Sequence, residues 1–258
     1  MATVDGQIEA LVATATRHIE TKNFEACHRN LQVLLERAPE NVSVQIVHLN
    51  FLLATQPPFA VAEKTREYMR KNVHPTFVII LYKCLCLNEQ PMDALKILEG
   101  FIEKYPTSLP VLEFIVDVYC ERSMIDMAME AQKNVLAMCG EPEKPENLKR
   151  LAKIFLRSSL VDRHKNAFIH LSRLEILCRN DDQRLLAQYM QFLLLNDWIK
   201  QMETDNNPTD EYIDVSAMLL VISDRLENNV KLTVNFQQNH VHIEWETYLR
   251  RRFGNVLE

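Results

Sequence analysis

Apolar residues recur every three or four positions along most of the chain, which is the spacing of one face of an α-helix. In the first such stretch Leu11, Ala15 and Ile19 fall on one side. Short polar or proline-bearing interruptions separate the stretches. The pattern predicts helices over residues 5–21, 24–37, 42–55, 59–72, 76–88, 92–104, 109–121, 124–139, 146–160, 163–179, 182–202 and 209–227. Because the connections are short, consecutive helices are expected to lie antiparallel.

A different pattern follows residue 229, where apolar and polar residues alternate with the period of a β-strand. A two-residue turn at 238–239 would pair apolar with apolar residues across two such strands. The sequence therefore predicts a small C-terminal β-hairpin, followed by a return to helix over 246–253. Its apolar face would consist of Leu232, Val234, Phe236, Ile243 and Trp245. We expect this hairpin to dock another subunit, and its open edge permits a dimer.

Prolines mark the end of every second helix in the first half of the chain. Pro39, Pro75, Pro106 and Pro142 are separated by 36, 31 and 36 residues. A two-helix unit of about 34 residues is typical of a solenoid, because one helical hairpin cannot bury its apolar face alone. The pattern divides the chain into helical repeats over 1–142, a further helical pair with a capping helix over 143–203, and an acidic helix with the hairpin over 204–258.

The second helices of these units carry the spacing on which a family resemblance depends. The residues are Ala94, Leu98, Phe101 and Pro106 in the third unit, and Cys27, Leu31, Leu34 and Pro39 in the first. This spacing resembles that of tetratricopeptide repeats. The chain departs from the family at His48 and Tyr82, where a small residue is usual, and it lacks the family's Trp. The resemblance implies an all-α fold, a right-handed solenoid of helical hairpins, to which the β-hairpin would be an appendage.

The same resemblance implies that the first helices line a concave groove that binds a peptide or a helix. The residues at the matched positions are Val12, Thr16, Gln45, Leu49, Ile79, Lys83, Glu113 and Asp117. This face is apolar at one end and acidic at the other, which favours an apolar partner segment with a basic flank. A shift of the repeat phase by one position would instead move Leu49 and Ile79 into the core.

Charge and composition narrow the classes of function. Only 4 of the 258 residues are glycine, which disfavours glycine-rich phosphate loops. The net charge of −6 argues against general nucleic-acid binding. However, residues 144–184 hold ten Lys or Arg against five acids, whereas residues 201–229 hold seven acids against one base. The basic stretch leaves an RNA-binding helical-repeat protein as the alternative function.

No motif predicts an enzyme, a cofactor or a metal. The six cysteines are scattered through apolar helical patterns. Cys84 and Cys86 would point in nearly opposite directions from a helix, and His240 and His242 have no third ligand nearby in sequence. The sequence also lacks a secretory signal and an apolar run of about 18 residues. It therefore predicts a cytoplasmic or nuclear, non-enzymatic scaffold or adaptor subunit of a multiprotein complex, without cofactor or membrane contact.

Overall fold

The computed structural model describes residues 4–140, 144–204, 210–233, 245–254 and 256. All regular secondary structure in these ranges is α-helical, as the main pattern predicts. The helices are α1 (Val4–Glu20), α2 (Phe24–Arg37), α3 (Val42–Thr55), α4 (Pro58–Lys71), α5 (Pro75–Leu87), α6 (Pro91–Lys104), α7 (Leu109–Glu121), α8 (Ile125–Met138), α9 (Pro145–Arg157), α10 (Arg163–Leu177), α11 (Asp181–Thr204), α12 (Asp210–Thr233) and α13 (Trp245–Phe253).

The helix starts follow from local sequence chemistry. Pro58, Pro75 and Pro91 each occupy the first position of a helix, where the missing N–H of proline costs no hydrogen bond. Asn41 caps α3, since its Oδ1 accepts hydrogen bonds from the amides of Ser43 at 2.9 Å and Val44 at 3.2 Å. These signals are independent of tertiary packing, so the sequence alone locates most of the helices.

The predicted C-terminal β-hairpin is wrong. Val230 and Leu232 continue α12 as far as Thr233, and Trp245 begins α13, so both ends of the supposed hairpin are helical. Val234, Phe236 and Ile243 lie outside the described residues, as do His240 and His242.

The physical reason is visible in α12. Val215, Ile222, Leu226 and Val230 are buried along one helical face, and this face includes Val230, the first residue of the alternating run that resembles a strand. A short alternating run is compatible with both periods, and packing of the helix decides between them. Trp245 packs edge-on against Phe192, with ring centroids 4.8 Å apart. The expected dimer through a strand edge therefore loses its basis.

Two compact units make up the chain, and the division falls inside α7. Unit 1 is Met1–Phe114 and unit 2 is Ile115–Glu258. In unit 1 the first helices α1, α3 and α5 pack side by side, and the second helices α2 and α4 pack against the first helices that follow them, α3 and α5. These contacts are the stacked layers of helical hairpins that the proline spacing predicts. Fully buried residues in this unit include Leu31, Leu34, Leu49, Phe77 and Leu98.

Unit 2 continues with neighbouring helices packed in chain order. α9 packs against α8 and α10, α11 packs against α10 and α12, and α13 packs on α12. Its core contains Leu171, Met190 and Leu194, which are fully buried. These compact units do not test the division into residues 1–142, 143–203 and 204–258 that the sequence motifs predict, and that division stays a prediction.

A common turn joins the helices of three hairpins. Lys22, Glu89 and Ser123 have positive φ angles of 56°, 60° and 58°. In each turn the following amide donates to the carbonyl oxygen five residues back, at 2.8 to 2.9 Å. The helices that follow begin at residues 24, 91 and 125, and α4, after the Gln56–Pro57 turn, begins at residue 58. Successive starts are thus 34, 33 and 34 residues apart, which is the repeat length of the fold.

Candidate partner-binding face

The first helices of unit 1 present equivalent positions to one side. In α5, Ile79 is half-buried and Lys83 is exposed. In α1, Val12 and Thr16 are both half-buried. These four residues were predicted to line the partner groove, and the structure leaves each of them at least partly accessible.

The two residues predicted for α3 do not reach this surface. Gln45 is 1% exposed, and its Nε2 donates to the carbonyl oxygen of Pro39 at 2.8 Å. Its Oε1 accepts from Asn72 Nδ2 at 3.3 Å. Leu49 is 0% exposed and belongs to the core. Both side chains therefore lie in the interior of the second hairpin.

The repeat phase explains the difference. Helices α3 and α5 begin at Val42 and Pro75, so Ile46 and Asn50 stand level with Ile79 and Lys83 when positions are counted from the helix starts. Ile46 is half-buried and Asn50 is exposed, as are their counterparts. The one-position shift that the sequence left open thus applies to the second hairpin and not to the third.

We call the corrected surface the first-helix face. It consists of Val12, Thr16, Ile46, Asn50, Ile79 and Lys83. One half-buried apolar side chain from each helix lies beside a more polar residue one turn further along. Thr16 Oγ1 donates to the carbonyl oxygen of Val12 at 2.9 Å, and the Lys83 ammonium lies 5.9 Å from the centre of the Phe114 ring. The face thus combines partly solvated hydrophobic surface with a cation and an amide.

The predicted acidic end is divided between the two units. Glu113 is half-buried in unit 1, whereas Asp117 belongs to unit 2. The Asp117 carboxylate forms an ion pair with Arg150, whose Nε lies 3.2 Å from Oδ1. Arg150 is the more buried partner. The pair connects α7 to α9 and partly neutralises the charge of Asp117. A basic flank on the partner therefore stays a prediction.

Several basic side chains of the 144–184 stretch have partners within unit 2. The Arg157 guanidinium donates to the carbonyl oxygen of Cys120, and Arg163 Nη2 donates to Gln201 Oε1 at 2.6 Å. Burial lowers the pKa of Lys153, and the neighbouring Lys149 and Arg157 lower it further. The basic side chains of this stretch therefore take part in packing within unit 2 as well as contributing charge to its surface.

The described residues contain no group of three or more His, Cys, Asp or Glu side chains arranged to hold a metal ion. Burial raises the pKa of the Cys84 thiol to about 11, so this thiol is protonated near neutral pH. Cys84 lies in the core and Cys86 is half-buried, as their spacing on one helix requires. Among the described helices, none combines the length and the apolar character that crossing a bilayer requires.

Sequence reasoning missed a second accessible surface, a groove in unit 2 between α10, α11 and α12. The available signal was Ile176, which lies off the apolar stripe of its helix, next to the stripe residue Leu177. An isolated apolar residue of this kind is common on protein surfaces, so it gave no reason for a prediction.

Comparison with known proteins gives likenesses of fold only. No family model and no curated protein matches the chain. Among solved structures, PilW, described as a widely conserved type IV pilus biogenesis factor, is 15% identical with a TM-score of 0.53, covering 83% of this chain and 99% of its own. MamA is 14% identical with a TM-score of 0.46, covering 66% of this chain and 94% of its own. A human IFIT1 dimer with m7Gppp-AAAA is 13% identical with a TM-score of 0.44, covering 92% of this chain and 53% of its own. The likeness to PilW, together with the stacked hairpins, supports a tetratricopeptide-like helical-repeat fold.

Proposed function

We propose that this protein is a non-enzymatic interaction subunit that holds a segment of a partner protein on the first-helix face. The observation that supports the proposal is the side-by-side packing of α1, α3 and α5, in which Val12, Ile46 and Ile79 each stay partly accessible. Apolar surface that stays partly accessible in a row, rather than as single residues, is typical of interaction sites.

The dimensions of the face favour a short segment as its ligand. Packed helices lie about 8–10 Å apart, so three neighbouring helices present a row about 20 Å long. An extended chain of about six residues, or a helix of about 13 residues, spans this distance. Asn50 and Lys83 are exposed beside the apolar row and provide donors for the carbonyl groups or carboxylates of such a segment.

A pair of charge-reversing variants tests this proposal. Lys83→Glu changes the first-helix face at an exposed position, and Lys96→Glu makes the same change at an exposed position of α6 outside that face. Asn50→Arg adds a large side chain to the face without altering the core. We expect Lys83→Glu and Asn50→Arg to lose the proteins that the natural chain captures from a lysate of its source, whereas Lys96→Glu retains them.

Circular dichroism establishes that each variant keeps its helices. Quantitative mass spectrometry then compares the captured proteins. Capture by Lys83→Glu and Asn50→Arg equal to that of Lys96→Glu would place the binding surface elsewhere. A natural chain that captures nothing above the level of an unrelated helical protein would contradict the proposal as a whole.

The alternative is an RNA-binding protein, and the excess of basic residues over 144–184 is the observation in its favour. Lys144, Lys165 and Arg179 are exposed in this stretch. We place this function second, because several other basic side chains in this stretch form hydrogen bonds or ion pairs within the chain. Binding of labelled RNA that weakens steeply with salt would support it, and no binding at low salt would contradict it.

A further inference from the structure

Unit 2 contains an open groove of about 460 Å³ between α10, α11 and α12, separate from the first-helix face. Its volume lies in the range of sites that take one or two side chains or a small ligand. Apolar walls are formed by Phe168 and Ile176 of α10 and Ile222 of α12. Ile176 is 81% exposed at the rim of the groove. Covering this rim would remove apolar surface from water.

The floor of the groove contains a buried polar group without a partner. Gln191 of α11 lines the groove although the residue is 1% exposed. Its Nε2 donates to Ser172 Oγ at 3.3 Å, but Oε1 has no donor within hydrogen-bonding distance among the described residues. Buried acceptors nearly always have a donor in native proteins. The backbone N–H of a bound peptide is a donor of the kind that this oxygen lacks, and it reaches the oxygen when the Gln191 side chain turns towards the groove.

Two arginines at the groove hold only weak internal ion pairs. Arg184 Nη1 lies 3.3 Å from Asp181 Oδ1, and Arg225 Nη1 lies 3.7 Å from Glu175 Oε1. Both arginine side chains are about half exposed, and ion pairs of this kind contribute little. Glu175 also accepts from Gln188 Nε2 at 2.7 Å, so it keeps a partner when Arg225 turns towards a ligand. The guanidinium groups are therefore available for a carboxylate.

We propose that this groove binds a peptide segment in which an apolar side chain lies next to a carboxylate. The apolar side chain contacts Phe168, Ile176 and Ile222, and a backbone N–H of the segment donates to Gln191 Oε1. The carboxylate, from an Asp or Glu side chain of the segment, pairs with Arg184 and Arg225. This site goes beyond the first-helix face and gives the protein a second, chemically different place for a partner.

Selection of random 12-residue peptides displayed on phage tests the site with the full chain. Peptides are selected on the natural protein and counter-selected on Ile176→Glu, and the most enriched one is synthesised with a fluorescein label for polarisation measurements. We expect enriched peptides to share an aliphatic or aromatic residue beside an acid. Ile176→Glu should weaken binding at least about tenfold, as a charge replaces the apolar rim. The control Ile169→Glu, also on α10 and 41% exposed but outside the lining, should bind like the natural protein.

Two further changes separate the parts of the proposal. Arg184→Glu combined with Arg225→Glu should weaken the labelled peptide about tenfold, whereas Arg179→Glu, an exposed position outside the groove, should not. Gln191→Met should weaken binding while the melting temperature stays the same or rises, since the buried unpaired oxygen is removed. A residue with a purely structural role would not lower affinity while preserving stability.

The outcomes that overturn the proposal are distinct from those for the first-helix face. Failure to enrich any peptide that depends on Ile176, enriched peptides without an acid, or unchanged affinity in the double arginine variant would each contradict it. Lys83→Glu should leave the labelled peptide bound. Conversely, loss of partners through Lys83→Glu with no peptide bound in the groove would support the proposed function and reject only the second site.

Discussion

The two units bury polar side chains to very different extents. Among the residues of unit 1 that the structure describes, the buried polar ones are Gln45 and Thr65. Unit 2 buries Gln132, Asn147, Ser158, His164, Gln188 and Gln191. Unit 1 therefore depends mainly on apolar side chains at equivalent repeat positions, whereas unit 2 also depends on specific hydrogen bonds in its interior.

A chain of amides and a carboxylate illustrates the second mode. Gln188 of α11 donates to Glu175 of α10 at 2.7 Å, and Asn229 of α12 donates to Gln188 at 2.7 Å. One buried glutamine thus connects three helices that lack the repeat motif. Shape repeated at fixed intervals can order helices without such contacts, whereas a satisfied network of buried hydrogen bonds can fix the register of helices outside the repeat. In unit 2, the helices that lack the repeat motif are therefore also the ones that are joined by buried hydrogen bonds.

The largest expected effect comes from the apolar core of unit 1. Leu98 is fully buried at a repeat position of α6, and Leu98→Ala leaves a cavity there. We expect the free energy of unfolding to fall by about 3 kcal/mol in urea titrations. Leu87→Ala, at a largely exposed position of α5, is the control and should cost far less. Equal losses at the two sites would contradict the description of unit 1 as a set of stacked apolar layers.

The amide network of unit 2 should show the next largest effect. Gln188→Ala removes the donor to Glu175 and the acceptor for Asn229, so we expect a loss of about 2 kcal/mol. Gln45→Ala is the matched change in unit 1 and removes only uncharged partners, for which we expect about 1 kcal/mol. Urea titrations measure both. If Gln45→Ala cost more than Gln188→Ala, the contrast between the units would fail.

Acid should weaken unit 1 through one histidine. Burial lowers the pKa of His48, the nearby Lys64 lowers it further, and its Nδ1 lies 2.7 Å from the Tyr68 hydroxyl. Burial raises the pKa of Tyr68 to about 12, so this hydroxyl is protonated near neutral pH and can donate to Nδ1 of the neutral imidazole.

The unfolded chain therefore binds a proton more readily than the folded one. The stabilisation by neutral His48 is complete above the unfolded pKa and is lost as the pH falls through the lower folded pKa. Its slope cannot exceed about 1.4 kcal/mol per pH unit. Unfolding free energies measured between about pH 7.5 and pH 5.5 should depend less on pH in His48→Gln than in the natural protein. An unchanged pH dependence would show that His48 titrates alike in both states.

The smallest expected effect is a gain in stability at a repeat turn. Glu89 has a φ of 60°, a conformation that glycine adopts without the steric cost of a Cβ atom. We expect Glu89→Gly to raise the free energy of unfolding by about 0.5–1 kcal/mol, measured in urea. The same change at Lys96, an exposed position inside α6, should instead lower it by about 1 kcal/mol. A loss at both positions would indicate that the Glu89 side chain contributes more than its backbone strain costs.

Helix positions were the most predictable part of the fold. Pro58, Pro75, Pro91 and Asn41 mark helix starts through local chemistry, so packing does not alter them. The C-terminal hairpin failed because the alternation around Val230 fits the buried stripe of α12 equally well.

The candidate face was predictable only in part. Ile79 and Lys83 follow from the matched motif of the third unit, but the second hairpin lacks a strong motif. The repeat phase of that hairpin depended on the residue at which α3 begins. A shift of one position places Asn50 instead of Leu49 on the first-helix face. The groove around Gln191 could not be foreseen, because an unpaired buried amide is a property of three-dimensional neighbours and leaves no trace in spacing.

The order of helix contacts has a consequence for how the chain acquires its structure. Within each unit, in the part of the chain that the structure describes, the extensively packed helix pairs are at most two helices apart along the sequence. Loops between contacting residues are therefore short, and the entropy lost when they close is small. Chains with such local contacts fold rapidly and can begin from any adjacent pair. A hairpin that leaves a ribosome can thus pack at once against a helix that was made just before it.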